Sequence, residues 1–203
     1  MNIASILSLT TVDYPGHLAS AVYTQGCNYD CVYCYNKELI PYVEESHITV
    51  QEAFDRLRSY SRLVDSVVIT GGEPTVQKDL PYFAGVLKQM GFLVKLNTNG
   101  SNPYMLKRMV AEGKVDYIAM DVKAPLSKYS LMCGTDVKEE SIMESLEWLK
   151  GLPTDNVEFR TTYAPDILSK EDMAEIISLI DGQKRHVIQP CRKVRHAEKI
   201  YGS

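Results

Sequence analysis

The chain has 203 residues, 45% of them hydrophobic, with 22 basic and 26 acidic side chains and a formal net charge of −4. That length suits a single domain spanning residues 1–203 with a proper core, and no Lys/Arg stretch marks a nucleic-acid footprint. No apolar run approaches the roughly 18 residues of a membrane span, and the N-terminus lacks the basic region and apolar stretch of a signal peptide, so a cytoplasmic location is expected.

In chain order, residues 17–25 read as a strand that runs into GCNYDCVYCYN, from Gly26 to Asn36. Residues 48–64 have helical spacing, with Thr49 and Glu52 as a capping box. SVVIT is a β-branched strand over 66–70 that ends in GGEP. LPYFAGVLKQMG is a helix closed by Gly91, and residues 92–97 form a strand that ends in TNG. Asn102 and Pro103 look like an N-cap and first helical residue. Residues 115–123 form another strand, and EESIMESLEWLKG a helix stopped by Gly151. Residues 157–165 are a strand, LSKEDMAEIISLIDG a helix capped by Ser169, and residues 186–190 the last strand. KVRHAEK, over 193–199, reads as a weakly basic solvated surface.

Six strands alternating with helices predict right-handed βαβ units and a parallel sheet. Periodicity leaves open whether that sheet is doubly wound or an incomplete barrel. In either case the cysteine loop, GGEP, TNG, DVK and RTTYAP fall at or near C-terminal strand ends, where parallel α/β folds bind ligands.

Cys27, Cys31 and Cys34 fall within eight residues, while Cys133 and Cys191 stand alone. An odd, clustered set argues against a secreted disulfide framework and for metal or redox chemistry in a reducing compartment. Four thiolates would close a structural zinc site. Three thiolates suit an iron–sulfur cubane with one iron left open to a substrate or cofactor. A zinc site completed by His17, His47 or a distant cysteine, or three unrelated buried thiols, are the alternatives. Cys133 reads as a small buried hydrophobe, and a second cluster is not expected.

C-x3-C-x2-C with an aromatic residue before the third cysteine, followed by GGEP after the next core strand, resembles the radical S-adenosylmethionine (SAM) enzymes. TVDYPG, TQGCNYDCVYCYN, TGGEP, LNTNG, MDVK and EFRTTYAP occur in the order of the glycyl-radical-enzyme activating proteins. The set looks most like the activating component of anaerobic ribonucleoside-triphosphate reductase. The resemblance implies a partial (β/α)6 barrel whose side opening admits a peptide loop. It also implies a [4Fe-4S] cluster on Cys27, Cys31 and Cys34, and SAM on the open iron. Reductive cleavage of SAM would give methionine and a 5′-deoxyadenosyl radical, which takes hydrogen from a glycine of the partner, the anaerobic reductase. Flavodoxin or ferredoxin would supply the electron.

Each further site residue is carried over from the resemblance and has a plainer alternative. Tyr33 would line the adenine, or be a core tyrosine. Asn36 would contact the cofactor, or be a turn residue. Gly71, Gly72, Glu73 and Pro74 would cradle the SAM amino group, or form an ordinary strand-end turn. Asn97, Thr98, Asn99 and Asp121 occupy the strand ends that hold a monovalent cation in pyruvate formate-lyase activating relatives, but Asn97 replaces an aspartate there. Lys123 would pair with the SAM carboxylate, or form a surface ion pair. Arg160 would contact the carboxylate or ribose, or bridge to Glu158 or Asp121. Gln189 is a further cofactor candidate. Asp13 would touch the substrate loop, or cap a turn before Pro15 and Gly16. Tyr35 stands where many relatives have histidine. Compact 7-carboxy-7-deazaguanine synthases share GGEP-like turns and require a divalent metal, which makes a small-molecule substrate the nearest rival. A non-catalytic zinc module is the reading from another class.

Overall fold

The computed structural model describes residues 1–180 and 185–191; the KVRHAEK stretch and the last two residues of LSKEDMAEIISLIDG lie outside them. The architecture is α/β, with a seven-stranded sheet in the sequential order β1 to β7 that does not close on itself. The strands are β1 Ile3–Thr10, β2 Ala19–Thr24, β3 Ser66–Gly71, β4 Leu93–Thr98, β5 Tyr117–Asp121, β6 Val157–Tyr163 and β7 Arg185–Pro190. Strands β2 to β7 are the six read from the sequence. Strand β1 is an addition. It pairs antiparallel with β2, whereas β2–β3, β3–β4 and β6–β7 pair in parallel.

The helices are α1 Val50–Tyr60, α2 Leu80–Gln89, α3 Pro103–Ala111, α4 Tyr129–Cys133, α5 Glu139–Lys150 and α6 Lys170–Ile180. Both halves of the Thr49–Glu52 capping box at α1 are formed. Ser169 accepts from the Asp172 N–H and its own N–H donates to the Asp172 carboxylate, so α6 is capped reciprocally. Gly91 has φ 90° and needs its glycine. Gly151, in contrast, ends α5 in ordinary right-handed geometry. No helix among the described residues is long and apolar enough to cross a membrane.

Packing divides the chain into two compact units. The first comprises residues 1–28, 38–98 and 104–118; the second comprises 29–37, 99–103 and the chain from 119 onward. In the first, Tyr14, Ala19, Ala21, Val68 and Tyr117 form a buried cluster, and Phe54 of α1 stacks on Phe83 of α2 with centroids 4.9 Å apart. In the second, Phe159, Met132, Ile142, Leu146 and Ile176 are all buried. There the Ser145 hydroxyl donates to the Gly100 carbonyl at 2.6 Å.

Candidate functional site

In the first unit, the start of the cysteine loop is tied to the GGEP turn through the backbone. Gly72 N–H donates to Thr24 O at 2.9 Å and Glu73 N–H to Gly26 O at 2.9 Å. Gly26 and Cys27 in turn donate to Leu39 O and Ile40 O. The two glycines of GGEP are required by this approach. A Cβ on Gly72 would lie 2.2 Å from Gly26 O, and one on Gly71, whose φ is 109°, would lie 2.4 Å from Thr24 N. Their freedom therefore serves the chain's own packing, whatever they also offer a ligand.

Glu73 caps the short 3-10 turn that Pro74 opens, and it is 1% exposed. Its Oε1 accepts from Thr75 N–H at 3.1 Å, the Thr75 hydroxyl at 2.5 Å and the Thr98 hydroxyl at 2.7 Å. These three hydrogen bonds help to fix the orientation of the buried carboxylate. Asn97 is also buried; its Nδ2 donates to Thr70 Oγ1 at 3.2 Å, while its Oδ1 has no hydrogen-bond partner. A buried acceptor without a donor costs about 1–3 kcal/mol, so Asn97 Oδ1 is suited to a donor from outside the chain. Asp13 accepts from the Thr10 hydroxyl at 2.6 Å.

In the second unit, Asp121 at the end of β5 sits between two cations. Arg160 donates to its Oδ1 at 2.9 Å and the Lys123 ammonium lies 3.3 Å from its Oδ2. Of the two partners the sequence offered Arg160, Asp121 pairs with it; Glu158 lies 3.6 Å from Arg185. Burial pushes the Asp121 carboxyl up, but Arg160 and Lys123 outweigh it and hold it below the usual carboxylate range. Burial likewise opposes the Lys123 charge, while the Asp121 carboxylate and the Cys31 thiolate hold its pKa above the ordinary lysine value. Lys123 is only 8% exposed, so it is not the surface ion pair that its type alone suggested. Its ammonium stands 5.9 Å from the Tyr33 ring centroid. Burial pushes the Tyr33 phenol far up, which keeps it neutral.

All five cysteines are free thiols. The Cys31 thiol is lowered to about 6, first by a hydrogen bond from Cys133 and further by Lys123, against burial. Burial raises Cys34, partly offset by the Asn36 backbone N–H, which donates to its sulfur. Asn36 thus acts here through its backbone. Lys37 pairs with Asp30 across the same loop. Exposed Tyr35 places its hydroxyl 3.7 Å from the Cys191 sulfur. Asn99 Oδ1 accepts from Ser101 N–H at 2.9 Å in a local turn, and Gln189 is exposed near the end of β7. Cys133 departs from the sequence reading: it is fully buried, but it hydrogen-bonds the second motif cysteine rather than serving only as a small hydrophobe.

Among the described residues no three His, Cys, Asp or Glu side chains form a ready-made metal-ion site, so the cluster ligands rest on the motif. The donor chemistry fits a thiolate-held iron–sulfur cluster: three reduced thiols within eight residues, one of them biased to thiolate. The unpartnered Asn97 oxygen and the Glu73 carboxylate fit a cationic amino group.

Residues 21–181 match the Radical SAM superfamily. The chain is 32% identical, over 194 residues, to a protein of Methanocaldococcus jannaschii provisionally described as a glycyl-radical enzyme activating enzyme; the match covers 92% of this chain and 78% of that one. It is 32% identical over 108 residues to a 7-carboxy-7-deazaguanine synthase of Haemophilus influenzae, covering 53% of this chain and 45% of the other. Among solved structures, TYW1 with a lysine-pyruvate adduct bound aligns with a TM-score of 0.64 at 19% identity, over 89% of this chain and 67% of that one, and so shares the fold. With the family match spanning most of the chain and a relative aligned along nearly all of it, the protein belongs to the radical SAM superfamily of enzymes.

Proposed function

We propose that this enzyme generates a glycyl radical on a partner protein, anaerobic ribonucleoside-triphosphate reductase, with a flavodoxin or ferredoxin as electron donor in the cytoplasm. The observation that carries the reading is the 32% identity over 92% of the chain to a relative described as an activating enzyme. The ordered motifs from TVDYPG to EFRTTYAP support the particular partner.

Cys27, Cys31 and Cys34 would hold a [4Fe-4S] cluster. When bound, the cluster supplies the electron that splits SAM into methionine and a 5′-deoxyadenosyl radical. Glu73 and Asn97 Oδ1 accept from the SAM amino group, with Gly71, Gly72, Pro74 and Thr98 shaping that turn. Lys123 and Arg160 present positive charge to the SAM carboxylate, with Asp121 orienting both. Tyr33, Asn36, Asn99 and Gln189 complete the cofactor contacts by resemblance, and Asp13 the contact to the partner's loop. A monovalent cation at Asp121 would compete with Arg160 and Lys123, and Asn97 offers a neutral oxygen in place of a carboxylate. The reading therefore assigns charge balance to the two side chains rather than to a cation.

The test is electron paramagnetic resonance on anaerobically reconstituted, dithionite-reduced protein, with and without SAM, followed by mixing with the anaerobic reductase. A reduced-cluster signal that changes with SAM, followed by a glycyl radical signal on the reductase, is the expected result. A cluster that ignores SAM, or zinc in place of iron, sinks the reading. The second reading, a small-molecule reaction like that of the deazaguanine synthases, is favoured by the Haemophilus influenzae match. It predicts magnesium-dependent turnover and no radical on the reductase.

A further inference from the structure

Helix α4 ends against the cysteine loop. Its last two carbonyls accept from the backbone on either side of Cys31: Asp30 N–H donates to Cys133 O at 2.9 Å and Val32 N–H to Met132 O at 3.1 Å. The fit is close enough that a Cβ on Gly134, the left-handed residue that stops α4, would lie 2.3 Å from Asp30 O. Cys31 is clasped in this way beside Cys133, and the two residues are 7% and 0% exposed. The Cys133 thiol hydrogen-bonds the Cys31 sulfur. In such a dry, packed place a thiol has little freedom to turn away, and a hydrogen bond is stronger than in water.

We propose that Cys133 is a positioning residue that donates its S–H to the Cys31 sulfur of the bound cluster and thereby raises the cluster's reduction potential. The inference rests on the reading of Cys31 as a cluster ligand. Hydrogen bonds to the ligating sulfurs are among the levers that set iron–sulfur potentials, and partners of ligands tune a metal site as the ligands do. The direction follows from charge. Reduction adds electron density to the cluster sulfurs, so a donor aimed at one of them stabilises the reduced form more than the oxidised form.

The experiment is a redox titration followed by electron paramagnetic resonance on the reconstituted full chain, comparing the parent with Cys133→Ala, Cys133→Val and Cys133→Ser. Valine keeps the volume without the donor, and serine keeps a donor. The alanine and valine variants are expected to titrate at a more negative potential. Their reduction equilibrium should fall by about tenfold, the size of one hydrogen bond to a charged group, which is about 59 mV for a one-electron couple. Serine should stay near the parent. Intact clusters in the alanine or valine variant that titrate with the parent would overturn the proposal, as would a serine variant displaced as far as valine. A change in melting temperature alone would mark Cys133 as packing only. A parent that assembles no [4Fe-4S] cluster would overturn the reading of the site, and the inference with it.

Discussion

The GGEP turn with the end of β4 and the Asp121 network of the second unit present their polar groups in different ways. At Glu73 two hydroxyls and a backbone N–H converge on one carboxylate oxygen, Oε1, and the neighbouring strand end leaves Asn97 Oδ1 without a donor. Around Asp121 the partners are charged, and Arg160 and Lys123 already compensate the carboxylate. A buried acceptor left without a donor is open to one from outside the chain. A carboxylate between two cations instead holds those cations in position. The first arrangement suits the recognition of an amino group, and the second suits the presentation of positive charge to an anion.

Substitutions can break or sharpen this contrast. The largest effect is expected from Cys31→Ala, which removes the thiol biased to thiolate. Iron content and cluster absorbance after anaerobic reconstitution should collapse, while circular dichroism keeps the α/β fold. Retention of a full cluster would remove Cys31 from the ligand set. Next is Glu73→Gln. The amide oxygen can still accept from Thr75 and Thr98, while loss of the charge should weaken SAM binding by about 10- to 100-fold, the range of a charge-assisted hydrogen bond. Isothermal titration on the reconstituted protein measures this, and unchanged affinity would end the assignment of Glu73 to the amino group.

Asp121→Asn acts in the second region and should lower stability. About a third of the Asp121 side chain is exposed, at 35%, so the loss should be about 1–2 kcal/mol, below that of a fully buried pair. The pH dependence has a definite sign. A carboxyl held below its ordinary value contributes stability above the unfolded pKa of about 3.9 and loses it as pH falls through the lower folded value. The gap between parent and Asp121→Asn in denaturant titrations should therefore be full at neutral pH and close in acid. A gap that persists at low pH would show that the contribution is not electrostatic. The smallest stability effect is expected for Asn97→Ala, which forfeits one hydrogen bond of 3.2 Å and relieves an unpartnered oxygen. Stability should stay within about 1 kcal/mol while SAM affinity falls, and a large stability loss without an affinity change would reverse that reading.

Much of the fold was legible because its signals are local. SVVIT, the Thr49–Glu52 box and the Ser169 cap each work through neighbours within a few residues. Strand β1 escaped because most of it is not buried: Leu7 and Leu9 are exposed, so its apolar residues show no clean alternation between faces. Helix α4 spans five residues, too few for a helical period to show. The site was legible as a set of motifs, since each sits near a strand end, but the partners within it were not. Nothing near Arg160 in sequence points to Asp121, which lies 39 residues away.

Sequence alone determined the element order and the cysteine spacing, because both depend on short-range propensity and periodicity. It also marked the strand ends that carry polar residues, since those ends coincide with breaks in apolar pattern. Tertiary structure alone decided that Gly71 and Gly72 clear the backbone of Thr24 and Gly26, that Asp121 bridges two cations, and that Cys133 reaches Cys31. Apart from Asp121 with Lys123, those pairings join residues far apart along the chain, and which distant groups meet is set by strand pairing and close packing rather than by any local preference.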